Sequence, residues 1–473
     1  MRNLQGNTTY TDAVEEDYSE IRKEGLVDSD LTPEARDARN LATMSIVQPD
    51  GRRAVATFLG RKDYEKIENR MGGLKADLML GCLREFARRR GGQLVWSVYF
   101  GLHGETVNVV QHTVKIDGTV LQILRAGYVF MHFPDERVVI SAEPGDRSDN
   151  PAIFIAVRSS TDSSGFMQEW EHYARRHNHL RGRAFFANGE IVERKRACTW
   201  NDILLPKRTK KTIRTQVEGF LQNLARLKGL GVKTRRGIIL SGPPGTGKTL
   251  LGKVLADTLN VSFLWVSSRH IRHANSFAEI LAVARFVAPT ILFMEDIDFY
   301  AEDRHRKGWA GLGDLLNQLD GCLDNEDLIT IATTNRLEAV EPALRSRPGR
   351  FDRIVEFGPM DSDCRRQMLR RKLRHADLSD EDIEHLVKAT DDYTGAQLEE
   401  LSNSIYILAV QRDNARPEGF CSGENACCVP GDGEMESVSV DLDLIDSALA
   451  EVHVRREGLM GFRPAVGETV GAR

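Results

Sequence analysis

The residues best equipped for chemistry stand together near the middle of the chain. Gly242–Thr249 reads GPPGTGKT and meets every fixed position of the pattern G-x-x-x-x-G-K-[ST]. Such a segment suits phosphate. Gly242, Gly245 and Gly247 let successive backbone N–H groups turn inward around β- and γ-phosphate oxygens, where a side chain would block the approach. Pro243, Pro244 and Thr246 complete the loop, Lys248 brings a point charge to the phosphate oxygens, and Thr249 offers a hydroxyl to Mg²⁺. A second group is acidic. The apolar run Ile291–Met294 ends in Glu295-Asp296-Ile297-Asp298. Carboxylates at the C-terminal end of a buried strand, beside a phosphate loop, are what Mg²⁺ and an attacking water require.

These residues need a scaffold, and the flanking pattern supplies one. Gly237-Ile238-Ile239-Leu240 reads as a buried strand before the loop, and Leu250–Leu259 as a helix after it, with Leu251, Val254, Leu255 and Leu259 on one face. Strand, glycine loop and helix place phosphate at a helix N-terminus. Val261–Val266 and Leu328–Ala332 are further apolar strands, the latter ending in Thr333-Thr334-Asn335, and Phe277–Ala288 is a helix closed by Pro289. Cys364–His375, Asp380–Ala389, Gly395–Val410 and Asp441–Val454 read as four helices, with a Gly-, Cys- and acid-rich insertion before the last.

Upstream, the periodicity changes. Residues 1–40 are polar and acidic and are expected to be a mobile leader. Asp63–Arg90 has helical spacing, with a break at Gly72-Gly73. From Leu94 to Val157 short β-type runs follow: Leu94–Phe100, Val107–Val114, Val120–Leu124, Tyr128–His132, Val138–Ser141 and Ile153–Val157. Gly165–His179 reads as an amphipathic helix whose His172, His177 and His179 are polar-face residues, since no carboxylate or cysteine frames a metal site. Arg181–Pro206 is a connector with a β-like piece, Ala184–Ile191.

At 473 residues the chain exceeds one ordinary domain. With 41% hydrophobic and 28% charged residues it has a globular composition, and its net charge of −5 argues against a nucleic-acid-coating protein. The basic runs Arg194-Lys195-Arg196 and Lys207–Lys211 read as a solvated linker face. No run has the length of a membrane span, and the N-terminus lacks the order of a secretory signal. Seven scattered cysteines suit a reducing cytosol, and Cys421, Cys427 and Cys428 lack a neighbouring histidine to complete a zinc site.

From Thr199 onward these landmarks, in this order, resemble an AAA-type ATPase of the AAA+ superfamily. The resemblance implies an α/β fold: a three-layer αβα P-loop module at 196–358 and a helical lid at 359–457 with a disordered insertion at 412–437. A β-rich α+β domain at 41–195 would precede them and a disordered tail, 458–473, would follow. It also implies ATP and Mg²⁺ as ligands. By position, Glu295 supports Mg²⁺ and Asp296 polarises water, but the family order is Asp then Glu, so the roles could be shared or reversed. Asn335 takes the sensor position, and Arg347 and Arg350 match the arginine finger, which acts on a neighbour's nucleotide and so implies a ring, a hexamer or heptamer. Tyr393-Thr394-Gly395-Ala396 resembles the turn of the second sensor, with Ala in place of Arg.

One departure narrows the resemblance. Protein-unfolding members carry an aromatic-aliphatic-glycine pore loop after the second strand, whereas Ser267–Ser276 here is polar and lacks it. With Glu295–Asp298 and Leu315–Gly321, this resembles the branch typified by the mitochondrial inner-membrane AAA translocase of folded Rieske protein. The implied output is remodelling, disassembly or chaperoning of a protein partner in the cytoplasm. The alternative is a nucleotide-gated scaffold with slow hydrolysis. A hydrophilic loop gains little by displacing water from a moving chain, so no threading is expected. Given ATP and a folded fluorescent protein with an unstructured tail, the assembled chain should leave fluorescence intact; processive loss would contradict this reading.

Overall fold

The structure is a computed structural model that describes residues 51–60, 64–70, 73–100, 106–107, 109–116, 118–143, 152–158, 163–271, 276–299, 326–340, 351–414 and 437–459. Its N-terminal part holds α1 (Gly51–Leu59), β1 (Tyr64–Arg70), α2 (Gly73–Gly81), α3 (Leu83–Arg89), β2 (Gln93–Phe100), β3 (Thr106–Val107), β4 (Val110–Ile116), β5 (Thr119–His132), β6 (Arg137–Glu143), β7 (Ala152–Arg158) and α4 (Ser163–His177). The strands form a seven-stranded sheet in the order β1-β7-β6-β5-β2-β3, and β4 pairs with the first half of β5. Every pairing in it is antiparallel. Strand alternation sorts its side chains between two cores. Val129, Met131 and Ile140 face α2, α3 and α4, while Phe130 and Val139 face Ala54, Val55, Phe58 and Leu59 of α1.

Three expectations change here. The helix read over Asp63–Arg90 opens as strand β1, paired from Tyr64↔Arg158 to Arg70↔Ala152. Ladder bonds to a neighbouring strand override its local helical spacing. The runs Val120–Leu124 and Tyr128–His132 are one strand, because Gly127 passes through at φ +130, where an added Cβ would lie 2.9 Å from the Val98 carbonyl oxygen. His179 is not a polar-face residue: burial, with Arg183 and His112 nearby, pushes its pKa down to about 4.

The second part comprises β8 (Ala184–Phe186), α5 (Lys207–Gln222), α6 (Leu224–Gly229), β9 (Arg235–Ser241), α7 (Lys248–Thr258), β10 (Ser262–Val266), α8 (Ser276–Phe286), β11 (Thr290–Met294), β12 (Leu328–Thr334) and β13 (Arg353–Glu356). Its strands make a parallel six-stranded sheet, β13-β9-β12-β11-β10-β8. Both faces are covered, as apolar runs without alternation demand. One face, including Ile238, Leu240, Phe293 and Ile331, packs on α5 and α7; the other, including Ile239, Leu264, Leu292 and Met294, packs on α8.

β8 belongs to the connector in the sequence but is the edge strand of this sheet, with Phe185 opposite Leu264. Phe185 is fully buried, and the core it joins runs without interruption into the N-terminal part. The basic connector is not simply solvated either. Arg194 pairs with Asp257 at 2.5 Å, and Lys210 Nζ donates to the Trp200 carbonyl at 2.6 Å.

The chain closes with α9 (Ser362–Lys372), β14 (Ala376–Asp377), α10 (Asp380–Ala389), α11 (Gly395–Asn414), β15 (Val438–Ser439) and α12 (Leu442–Leu459), whose helices share one core including Leu369, Leu386, Leu401 and Ile445. Most of the expected insertion lies outside the described residues. Asp361 and Ser379 cap α9 and α10, their side chains accepting from the Cys364 and Asp382 backbone N–H groups. Replacing Phe185 by Ala removes an aromatic side chain from the seam between the two sheets. The expected loss is about 3–5 kcal/mol of unfolding free energy, measured by urea denaturation; a loss below about 1 kcal/mol would mean that β8 is not part of the cooperative core.

Candidate functional site

The phosphate loop leaves the C-terminal end of β9, between β12 and β13. Its glycines are there for space and for backbone angle. A Cβ on Gly242 would lie 1.9 Å from the Phe357 carbonyl oxygen, and one on Gly245, at φ +77, would lie 2.5 Å from Ala396 Cβ. Gly247, at φ +95, is the left-handed residue from which α7 begins. Lys248 is 6% exposed. Its ammonium donates to the Gly242 and Pro243 carbonyl oxygens at 2.6 and 2.8 Å, which holds it over the loop. Burial lowers its pKa, against the opposing pull of Asp296 and Asp298. Thr246 Oγ1 donates to the Pro243 carbonyl at 2.9 Å and braces the turn.

The acidic pair sits at the end of β11, and its two members are held differently. Glu295 Oε1 accepts from Thr249 Oγ1 at 2.9 Å, and Glu295 Oε2 accepts from the indole Nε1 of Trp265 at 2.9 Å. Asp296 has φ +50, a backbone region few non-glycine residues enter, and its N–H donates to Thr333 Oγ1 at 2.9 Å. The amide Nδ2 of Asn335 stands 3.4 Å from Asp296 Oδ1. Burial raises the Asp296 pKa, the charges of Asp298 and Glu295 raise it further, and Lys248 opposes them.

A cavity of about 430 Å³ joins these parts, with Lys248, Thr249, Leu250, Asp296 and Asn335 on its walls. Thus Gly242–Leu250, Glu295, Asp296 and Asn335 converge from the ends of β9, β11 and β12. Arg347 and Arg350 lie outside the described residues, as does Leu315–Gly321. Sequence reasoning missed other residues of the lining: Asp202, Ile203 and Leu204, with Met360, Met368 and Glu399. Ile203 lies in the segment read as the start of the module, and Gly395-Ala396 in the second-sensor turn, whose Ala396 N–H donates to the Gly245 carbonyl at 3.1 Å. Trp265 was read only as part of a strand. Nothing in its spacing points to Glu295, because the two lie on neighbouring strands.

Glycine loop, helix N-terminus and acidic strand end on a parallel sheet define a P-loop nucleotide-binding fold. The comparisons with known proteins agree. Residues 238–359 match the AAA family, "ATPase family associated with various cellular activities". The chain is 34% identical over 229 residues to the ATP-dependent zinc metalloprotease FtsH 2 of Salinibacter ruber, a match covering 45% of this chain and 33% of that protein. It is 35% identical over 225 residues to the cell division cycle protein 48 homolog of Archaeoglobus fulgidus, covering 45% and 31%. Protein SAV of Sulfolobus acidocaldarius is 35% identical over 225 residues, covering 45% and 29%. The chain therefore carries an AAA ATPase domain, and the match spans about a third of each of these relatives.

Lys248 is the only cation lining the cavity among the described residues. Lys248→Ala should weaken ATP binding by two orders of magnitude or more, about the worth of charge-assisted hydrogen bonds. Isothermal titration of the folded variant checks this, and wild-type affinity would remove Lys248 from the site.

Proposed function

We propose that this chain is an ATP hydrolase that works as a ring and uses ATP binding and hydrolysis to remodel, disassemble or chaperone a protein partner. The observation that carries this reading is the convergence of Lys248, Thr249, Asp296 and Asn335 on one cavity, with Glu295 hydrogen-bonded to Thr249. The matching AAA family supports the hydrolytic reaction.

The residues fit triphosphate and Mg²⁺. At Gly242 and Gly245 a Cβ would collide with Phe357 and Ala396, so only glycine fits the turn that aims the loop, and Thr249 and Glu295 present hard oxygen donors 2.9 Å apart. Mg²⁺ held there would neutralise charge on the phosphate oxygens. Lys248 and the loop N–H groups bind phosphate and orient it. Asp296 accepts a proton from the attacking water, and Asn335 holds Asp296 and that water in line. Arg347 and Arg350 complete the site of a neighbouring subunit in the ring.

The partner is moved by the N-terminal part and not drawn through a pore. Ser267 begins a short helical turn in which its N–H donates to His270 Nδ1 at 3.0 Å, and Ile271 is buried in the core with α8, 1% exposed. The one aliphatic residue in the described start of this segment is therefore packed inward and offers no apolar grip. α8 also touches α2, with Lys75 Nζ 5.5 Å from the Phe286 ring centroid, so a shift beside the nucleotide can reach the antiparallel sheet. Among the described residues no helix is long and apolar enough to cross a membrane; a cytoplasmic location is part of the proposal.

The division of roles between the two acids is testable. Asp296→Asn should keep ATP bound while phosphate release falls by about 10²-fold or more, and Glu295→Gln should weaken the Mg²⁺ dependence of binding. If Glu295→Gln instead traps ATP, water activation belongs to the longer side chain.

A further inference from the structure

Trp265 is the next-to-last residue of β10, a strand that contributes no residue to the phosphate loop. It is 6% exposed, yet its one polar group bonds to the acidic pair. An indole N–H is a donor only, and when buried it needs an acceptor. Here the acceptor is Glu295 Oε2 at 2.9 Å, while the other oxygen of the same carboxylate accepts from Thr249 at 2.9 Å.

The indole itself is held on several sides. Its centroid lies 4.9 Å from that of Phe293 and 5.6 Å from that of Phe263. The Arg194 guanidinium lies 5.8 Å from the ring centroid and is anchored to Asp257 and to the Lys253 carbonyl of α7. At Gly252 the same helix comes so close that an added Cβ would lie 3.0 Å from Trp265 Cη2. A ring fixed in this way fixes its N–H. Because it is neutral, it can orient a carboxylate without cancelling the charge that a cation needs, as a lysine or arginine in its place would.

The consequence concerns which acid faces the cavity. Asp296 lines it and Glu295 does not. The longer side chain is drawn back between Trp265 and Thr249, leaving the shorter one for water. We infer that Trp265 is a positioning residue that ties Glu295 to the cation side of the site and so assigns water activation to Asp296. This rests on the reading of the cavity as a Mg²⁺–nucleotide site.

The test uses the full chain with ADP and with Mn²⁺ as a spectroscopic probe. Trp265→Phe keeps a ring in place and removes the N–H. Metal-free ADP affinity should stay within about twofold of wild type, while Mn²⁺ affinity of the ADP-bound chain, read by electron paramagnetic resonance, falls by about 10-fold or more, as loss of a partner behind a metal ligand does. Glu295→Asp, too short to reach both partners, should show the same split without disturbing the aromatic cluster. Combining it with Trp265→Phe should add little further loss, because both break one linkage. Unchanged Mn²⁺ affinity in Trp265→Phe would overturn the inference. So would an equal loss of metal-free ADP binding, which would mark the indole as packing alone, or additive losses in the double variant. If wild type binds ADP but shows no Mn²⁺ site, the reading of the cavity as a metal–nucleotide site fails and the inference falls with it.

Discussion

The hydrogen bond from Thr249 Oγ1 to Glu295 Oε1 closes the site, and the rest of the fold is arranged so that it can form. Thr249 stands in the first turn of α7, which follows β9, whereas Glu295 stands at the end of β11. One strand, β12, lies between them in the sheet and brings Asn335 to the same edge. A strand order following the sequence would place β10 beside β9 and push the acids away from the loop. The crossover that puts β12 next to β9 opens the crevice at the carboxyl ends of the strands, where ligands of open parallel sheets bind.

Burial keeps these positions rigid. Ile291, Leu292, Phe293 and Met294 are all buried immediately before Glu295, with alternate members on opposite faces of the sheet. A strand packed on both faces cannot slip by one residue without turning both sets of side chains to the wrong layer. The acids are therefore held more firmly than a loop would hold them. The same core carries Phe185, so the polypeptide leaving α4 completes the nucleotide sheet before it continues as the linker. The N-terminal part is thus built into the ATPase domain's hydrophobic core, beyond being joined to it by a connector.

Much of the site was legible because it follows local rules. GPPGTGKT with an apolar strand before it and a periodic helix after it carries its own chemistry, and Glu295-Asp296 and Asn335 end apolar runs in the sequence as they end strands in the fold. What escaped depends on partners distant in sequence. Trp265 meets Glu295 on the adjacent strand, and Ile203 and Met360 reach the same cavity from segments far apart in the sequence. The same holds for structure: Tyr64–Arg70 is a strand because β7 pairs with it, and Ala184–Phe186 because β10 does. Local spacing at Tyr64–Arg70 reads as helix, and at Ala184–Ile191 it reads as β-like without indicating which sheet the piece joins.

In the proposed function these residues form a Mg²⁺-dependent ATPase site whose activity a neighbouring copy completes. Inorganic phosphate release by the purified wild-type chain, measured with ATP over a series of protein concentrations and with Mg²⁺ present or chelated, tests it most directly. The expected result is release that requires Mg²⁺ and a specific activity per chain that rises with protein concentration as subunits assemble. No Mg²⁺-dependent release at any concentration would contradict it.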